Sequence, residues 1–440
     1  MSATLIGVVG IGVLMTLIFI RVPIGLAMLV CGIVGTWIVR DSSRPILASF
    51  KSLPFDTFSN YSLSLVPLFL LMGQFAVKSG MSTDLFRAAQ AFIGHRRGGL
   101  AMSTVAACAG FGSISGSSLA TAATMGEVAL PEMARAGYSS ALSAGTIAAG
   151  GTLGILIPPS LVLVIYAGLA EQNVAKLFAA ALVPGVLAAV GYAVVIALWS
   201  RRNPESAPRS PRLRWRARLA VVVPVSPVLL IFGVVVGGIY VGWFSPTEGA
   251  AVGAFGTGAL AIARRSMDWR SFLDLLKETS LTTGMIFLII LGAASFNTFL
   301  AFAQVPQALS DLVLDSGASP WSVLALLLLV YFVLGWVMES LSMILLTVPV
   351  FFPVIMGLDF GLSPEETAIW FGIIVLVVVE VGLITPPVGL NLFIVNAMSA
   401  RASLKETYRG VLPFVASDII RTAALVAFPG ISLFLVRALF

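Results

Sequence analysis

The sequence predicts an all-α polytopic membrane protein: an inverted-topology repeat with two re-entrant helical hairpins and two helices broken at Pro-Pro pairs. Three observations lead there. The first is composition: 58% of the 440 residues are hydrophobic and 10% are charged, against about 25% charged in soluble domains. A soluble fold of this size lacks the charges to clothe its surface, whereas lipid-facing positions need no polar cover. The second is a series of apolar stretches, at about 4–20, 23–39, 61–79, 99–125, 140–170, 176–199, 219–241, 247–263, 281–303, 321–356, 366–398 and 410–437. The third is that glycine and proline features recur in the same order in both halves.

Composition excludes a soluble enzyme, a disordered scaffold, a secreted disulfide protein and a nucleic-acid-binding module. The net charge of +6 is not a nucleic-acid footprint, because the basic residues cluster in short loops. These are Arg96-Arg97, Arg201 to Arg218 and Arg264-Arg265, the pattern that marks a cytoplasmic face. Cys31 and Cys108 lie in apolar runs and suggest neither a disulfide nor a metal site.

Taken in order, the stretch at 4–20 has no basic region before it, and Arg21-Val22-Pro23 follows it. It reads as a permanent span rather than a signal peptide. Ile46 to Asn60 reads as an amphipathic helix in the interface, as do Met81 to Gly94 and Asp268 to Glu278. Residues 1–60 thus form N-terminal scaffold helices with an interfacial segment.

Residues 61–200 form the first repeat. Its hairpin, about 99–135, bends at Gly110-Phe-Gly-Ser-Ile-Ser-Gly-Ser-Ser118, and its second helix, about 140–170, is broken at Pro158-Pro159. A double proline removes two backbone donors. In lipid such a break is tolerated only inside protein or beside a polar cavity. Residues 201–218 form a cytoplasmic basic loop, and 219–265 are connecting scaffold helices. Residues 266–440 form the second repeat, with a hairpin at about 321–356 and a helix at about 366–398 broken at Pro386-Pro387.

Five features support the repeat: Gly73 with Gly292, the bend at 112–118 with Gly335 to Ser342, Pro131 with Pro353, Pro158-Pro159 with Pro386-Pro387, and Pro184 with Pro413. One register with small insertions fits all five. Placing the arginine loops inside makes the first hairpin open inward and the second outward. Arg401, Lys405 and Arg409 then fall in the cytoplasm and both termini outside. Inverted repeats of this kind are the architecture of many secondary transporters.

The chemistry lies at the bends and breaks. Carbonyls and hydroxyls are hard oxygen ligands suited to a small hard cation such as Na⁺. The first bend, with Ser113, Ser115, Ser117 and Ser118, is expected to pair across the pseudo-twofold with Gly382 and Thr385-Pro386-Pro387. The symmetric site is expected to join Gly335, Glu339, Ser340 and Ser342 to Gly154, Pro158, Pro159 and Ser160. Small residues that only permit close helix packing are the plainer reading of any single cluster. Two bends paired with two breaks favour binding sites.

Among the acids in or near apolar stretches, Glu127, Glu132, Glu248, Glu339 and Glu380, Glu132 and Glu248 read as plain interface residues. Glu339 and Glu380 lie within a few residues of the breaks. Either is suited to cation binding, proton coupling or capping of backbone donors. His95 reads as a solvated loop histidine. No HExxH, GxSxG or phosphate-cradling GK[ST] loop is present, so no enzymatic activity is expected. Any uphill movement would be driven by an ion gradient or an external ATPase.

Gly112-Ser-Ile-Ser-Gly-Ser-Ser118, Pro131-Glu-Met-Ala-Arg-Ala-Gly-Tyr138, Gly154-Ile-Leu-Ile-Pro-Pro-Ser160 and Thr385-Pro-Pro-Val-Gly389 resemble the large membrane subunit of tripartite ATP-independent periplasmic (TRAP) transporters. The resemblance covers essentially the whole chain. It implies a Na⁺-driven importer of organic acid anions (dicarboxylate, keto acid, or sialic or sugar acid) in a bacterial inner membrane, working elevator-fashion. The implied partners are a periplasmic substrate-binding protein and a separate small four-helix membrane subunit. Family Na⁺ sites carry over to Ser115 and Ser118 with Gly382 and Thr385, and to a symmetry mate around Gly335 and Pro158, with Glu339, Ser340 and Gly154. The substrate carboxylate is expected between the bends, near Ser117, Pro159, Ser160, Pro387 and Gly389. Two other classes remain open from the residues alone: a stand-alone ion-coupled anion transporter and a non-transporting membrane scaffold.

Overall fold

The computed structural model describes residues 2–399 and 403–440, and the regular structure among them is helical. Helices α1 (Ala3–Phe19), α2 (Ile24–Arg40) and α3 (Arg44–Phe58) come first, then α4 (Leu65–Lys78) and α5 (Met81–Ile93). The first hairpin is α6 (Gly99–Ser115) with α7 (Ser118–Arg135), and the first broken helix is α8 (Ser140–Leu156) with α9 (Leu161–Leu169). Then come α10 (Val174–Arg202), α11 (Trp215–Val241), α12 (Pro246–Ala263), α13 (Trp269–Phe302) and α14 (Val305–Asp315). The second hairpin is α15 (Pro320–Leu334) with α16 (Ser340–Met356), and the second broken helix is α17 (Pro364–Leu383) with α18 (Leu390–Met398). Helices α19 (Leu404–Ala427) and α20 (Gly430–Leu439) close the chain.

Local sequence accounts for many of these boundaries. Ser139, Ser160 and Asn173 accept the orphan N–H groups at the starts of α8, α9 and α10. Ser245 with Glu248, Ser363 with Glu366 and Ser403 with Glu406 form reciprocal capping boxes at α12, α17 and α19. Gly116 and Gly242, at φ 62° and 80°, stop α6 and α11.

The broken helices form the core. Every residue of α8 from Leu142 to Leu156 is buried, as is every residue of α17 from Thr367 to Leu383. Trp370 fills the start of α17, and its indole N–H donates to the Leu425 carbonyl at 3.0 Å. Helix α11, by contrast, presents Val223, Leu229 and Leu230 outward. The first break, at 157–160, lies within protein, as the backbone argument requires, whereas Pro387 of the second is exposed.

Helix α10 serves as a ruler. Its 29 residues rise about 43 Å at about 1.5 Å each. Near its start, Lys176 pairs with Glu365 at 2.5 Å. At its far end, Trp199 donates to Ser206 at 3.1 Å, in the arginine loop. The base of the first hairpin lies at the arginine end. There the Tyr138 hydroxyl accepts from the Leu100 N–H at 3.2 Å and donates to the Pro208 carbonyl at 3.0 Å. The base of the second lies at the opposite end, where Trp321 packs edge-on against Phe360 and Trp370 at 5.4 and 6.1 Å. The two hairpins therefore enter from opposite ends of the molecule. Both termini lie at the second hairpin's end: α1 begins beside Ala303 and Val305, and Arg437 pairs with Glu366 at 2.7 Å.

Helix α3, expected in the interface, packs along α2 and α13, with Phe58 stacked 5.5 Å from Phe287. Phe55 and Phe58 nonetheless stay more than half exposed. Asp268 to Glu278 is not a separate helix. Asp268 caps a continuous α13 of 34 residues, because no glycine or proline interrupts the sequence before Gly284. The stretch at 410–437 divides at Pro429, giving α19 and α20. Helix α14 was not anticipated. The interfacial helix at 81–94 appears as α5, turned 65° from α4 and held by an Arg264–Asp84 ion pair. Arg401 falls outside the described residues.

Candidate functional site

At the first tip, Gly116 turns the chain and Ser117 caps α7. The Ser115 and Thr121 hydroxyls lie 2.7 Å apart. A methyl group added at Gly112 would stand 2.4 Å from Gly154 Cα, and one at Gly154 would stand 2.5 Å from the Thr121 hydroxyl. At the second tip, one at Gly382 would stand 2.7 Å from Gly335 Cα. These contacts leave no room for any side chain.

They also correct the expected grouping. Each bend packs on the broken helix of its own half: Gly112 on Gly154, and Gly335 on Gly382. The expected sets crossed the halves, joining Ser115 and Ser118 to Gly382 and Thr385, and Gly335, Glu339 and Ser340 to Gly154 and Pro158. The repeat pattern reveals equivalence between halves but not which bend meets which break. Thr385 donates to the Val381 carbonyl of its own helix at 2.6 Å.

The halves meet instead at one carboxylate. Glu380, on α17, is 1% exposed. It accepts from Ser340, at the start of α16, at 2.7 Å, and from Ser118, at the start of α7. At the position in the first half equivalent to Glu380 stands Thr152, whose hydroxyl lies 3.0 Å from that of Tyr192. Tyr192 in turn donates to Asp418 at 2.7 Å, and Asp418 pairs with Arg421 at 2.9 Å. This second buried cluster was missed. Its signal is an Asp and an Arg three residues apart in an apolar helix.

Between the tips and the outer helices lies a cavity of about 420 Å³. Gly116, Ser117, Leu161, Glu339 and Ser342 form its inner wall, and Gly25, Thr282, Met285 and Ile289 its outer wall. The inner wall is made of the N-terminal ends of α7, α9 and α16. Of the expected substrate residues, only Ser117 lines it. Ser160 is buried and caps α9 behind Leu161. Pro159 faces a separate small void beside Met72 and Ile231. The exposed Pro387 accepts from Tyr408 at 2.5 Å, and Gly389 opens α18. These four do not line this cavity. Proline marks a break from the sequence but not the face it presents. Glu132 pairs with Arg135 at 2.7 Å and Glu248 caps α12, and Glu127 is exposed.

A helical fold with buried broken helices and a central cavity lined by hairpin tips defines a membrane permease. Residues 11–431 match the family described as the tripartite ATP-independent periplasmic transporter, DctM component. The C4-dicarboxylate TRAP transporter large permease protein DctM of Pseudomonas aeruginosa is 39% identical over 91% of this chain and 92% of its own. The ectoine TRAP transporter large permease protein TeaC of Halomonas elongata is 33% identical over 85% and 86%. The sialic acid TRAP transporter large permease protein SiaM of Vibrio cholerae is 30% identical over 95% and 96%. The chain belongs to this DctM family of large permease subunits. The YdaH transporter of Alcanivorax borkumensis shares its fold, with a TM-score of 0.65, 13% identity and 90% of each chain covered.

Proposed function

We propose that this chain is the membrane-spanning permease of a Na⁺-coupled importer of organic acid anions, served by a periplasmic binding protein and a small membrane subunit. One observation carries this reading: the N-terminal ends of α7, α9 and α16 converge on one cavity. Helix N-termini carry partial positive charge and free N–H groups, which suit a carboxylate. C4-dicarboxylates are the first substrates to test, given the relative named for them at 39% identity.

Glu339 on the cavity wall would repel a bare anion, so a cation is needed beside it. The regrouped sets offer two Na⁺ positions. One lies at Ser115 with Gly154 and Pro158, the other at Gly335 and Glu339 with Gly382 and Thr385. Ser118 and Ser340 join both sets through Glu380. The arginine loop faces the cytoplasm of a bacterial inner membrane, which leaves both termini periplasmic. The hairpins and broken helices move as a unit against α1–α4 and α11–α13, the elevator motion.

The test is uptake into proteoliposomes holding the permease and small subunit, with the binding protein added outside. Accumulation should follow an inward Na⁺ gradient and stop without the binding protein. Accumulation indifferent to Na⁺ overturns the coupling. Ser115→Ala and Thr385→Ala should each raise the Na⁺ concentration for half-maximal uptake; unchanged Na⁺ activation in both overturns those ligand positions.

A further inference from the structure

A second, larger cavity, of about 950 Å³, opens on the outer face between α10 and α19. Its walls are apolar, with Val194 and Leu198 on one side and Leu412 and Ile420 on the other, each more than half exposed. Its floor is open because Gly191 and Ala416 carry almost no side chain. One end is basic: Arg202 closes α10 and Arg409 stands in the second turn of α19. Both are exposed, and neither joins an ion pair among the described residues. Glu406 also stands there, but its carboxylate accepts from the N–H and hydroxyl of Ser403 within the α19 capping box. Asn203, Ser206 and Ser139 complete the polar end, beside Trp199.

We infer that this groove is a binding site for a phospholipid with an anionic headgroup, in the leaflet that holds the arginine loop. The length fits. From Arg409 to Ile420 the wall rises about 17 Å along the helix, close to one leaflet of a hydrocarbon core about 30 Å thick. The chemistry fits as well. Two unpaired guanidiniums offer planar donors to a phosphate, the hydroxyl and amide groups meet glycerol oxygens, and Trp199 sits at headgroup depth. Basic pockets between transmembrane helices on the cytoplasmic side are a recognised form of such sites. Helices α10 and α19 pack directly on the broken helix α8, so the lipid would travel with the hairpins. The inference does not depend on the transported substrate.

The full chain in phosphatidylcholine nanodiscs tests this, with brominated lipids as quenchers. The fluorescence lost in Trp199→Phe identifies the Trp199 signal. Brominated phosphatidylglycerol should quench that signal at low mole fraction, and brominated phosphatidylcholine should not. In R202Q and R409Q the phosphatidylglycerol needed for half-quenching should rise about fivefold for each arginine lost. Ala416→Leu, which fills the floor, should abolish quenching while the melting temperature stays within a few degrees. Equal quenching by both lipids, or unchanged quenching in the arginine variants, overturns the proposal. So does a photo-reactive group at Leu412 that crosslinks to polypeptide in native membranes instead of to phospholipid.

Discussion

Ser118 and Ser340, 222 positions apart in the chain, donate to the two oxygens of a single carboxylate, Glu380. Each serine starts the second helix of a hairpin, so this carboxylate ties the two tips together. A hydrogen bond contributes about 0.5–1.5 kcal/mol net. Ser118→Ala and Ser340→Ala should each lower stability by about that amount. Glu380→Ala, which leaves both hydroxyls unpaired, should cost more than either. Unfolding of the purified protein in detergent measures these differences. Serine substitutions that cost as much on a Glu380→Ala background as in the wild type would show that the carboxylate does not join them.

The Gly335–Gly382 contact makes a sharper demand. Alanine is worth about 0.8–1.0 kcal/mol more than glycine in a helix interior, so propensity favours Gly382→Ala. The added methyl would stand 2.7 Å from Gly335 Cα, and overpacking of this kind costs about 1–3 kcal/mol. The clash should win, lowering both melting temperature and uptake. Gly168→Ala, where no atom lies within 4 Å of the added carbon, should leave uptake unchanged and the melting temperature equal or higher. If the two variants behave alike, the close approach at the second tip is not a constraint.

Asp418 and Arg421 form a buried pair, 1% and 7% exposed at the side chain. Removing one partner of such a pair strands the other charge, at about 3–5 kcal/mol. Arg421→Leu should therefore be severely destabilised, and the double variant D418L/R421L should recover much of the loss. A thermal-melt comparison of the three proteins decides; a double variant worse than the single would contradict a stranded-charge mechanism.

His95 lies in the loop before α6. Its imidazole is held below the ordinary value near 6.5 by desolvation and by the charges of Arg218, Arg212 and Arg96. A base whose folded pKa is depressed takes up fewer protons folded than unfolded. Stability should thus fall as pH drops through 6.5 and level off below the folded value. His95→Gln should lose less melting temperature than the wild type between about pH 8 and pH 5.5. Equal losses would place the pH sensitivity elsewhere.

Much of the fold was legible because membrane helices must satisfy their own backbone and announce themselves by apolar length. The hairpins and breaks were legible because glycine and proline constrain the main chain directly. The amphipathic stripe of α3 does not by itself say whether protein or headgroups cover it. The site was legible in its parts and not in its pairing. Gly112 and Gly154, like Gly335 and Gly382, are recognisable bends and breaks, but their mutual contact is tertiary. Pro387 and Gly389 mark a real break whose surroundings point away from the cavity. Gly25, Thr282 and Met285 were invisible as site residues, since nothing in an ordinary apolar span distinguishes the wall of a cavity.

The inner wall of the cavity includes the first turns of three helices, α7, α9 and α16. Main-chain chemistry survives side-chain replacement. A lineage can therefore exchange the residues facing those helix ends, such as Thr282 and Met285, without dismantling the frame of helix ends. Change of cargo in such a protein is a matter of reshaping one wall and its delivery partner, while the frame is inherited intact.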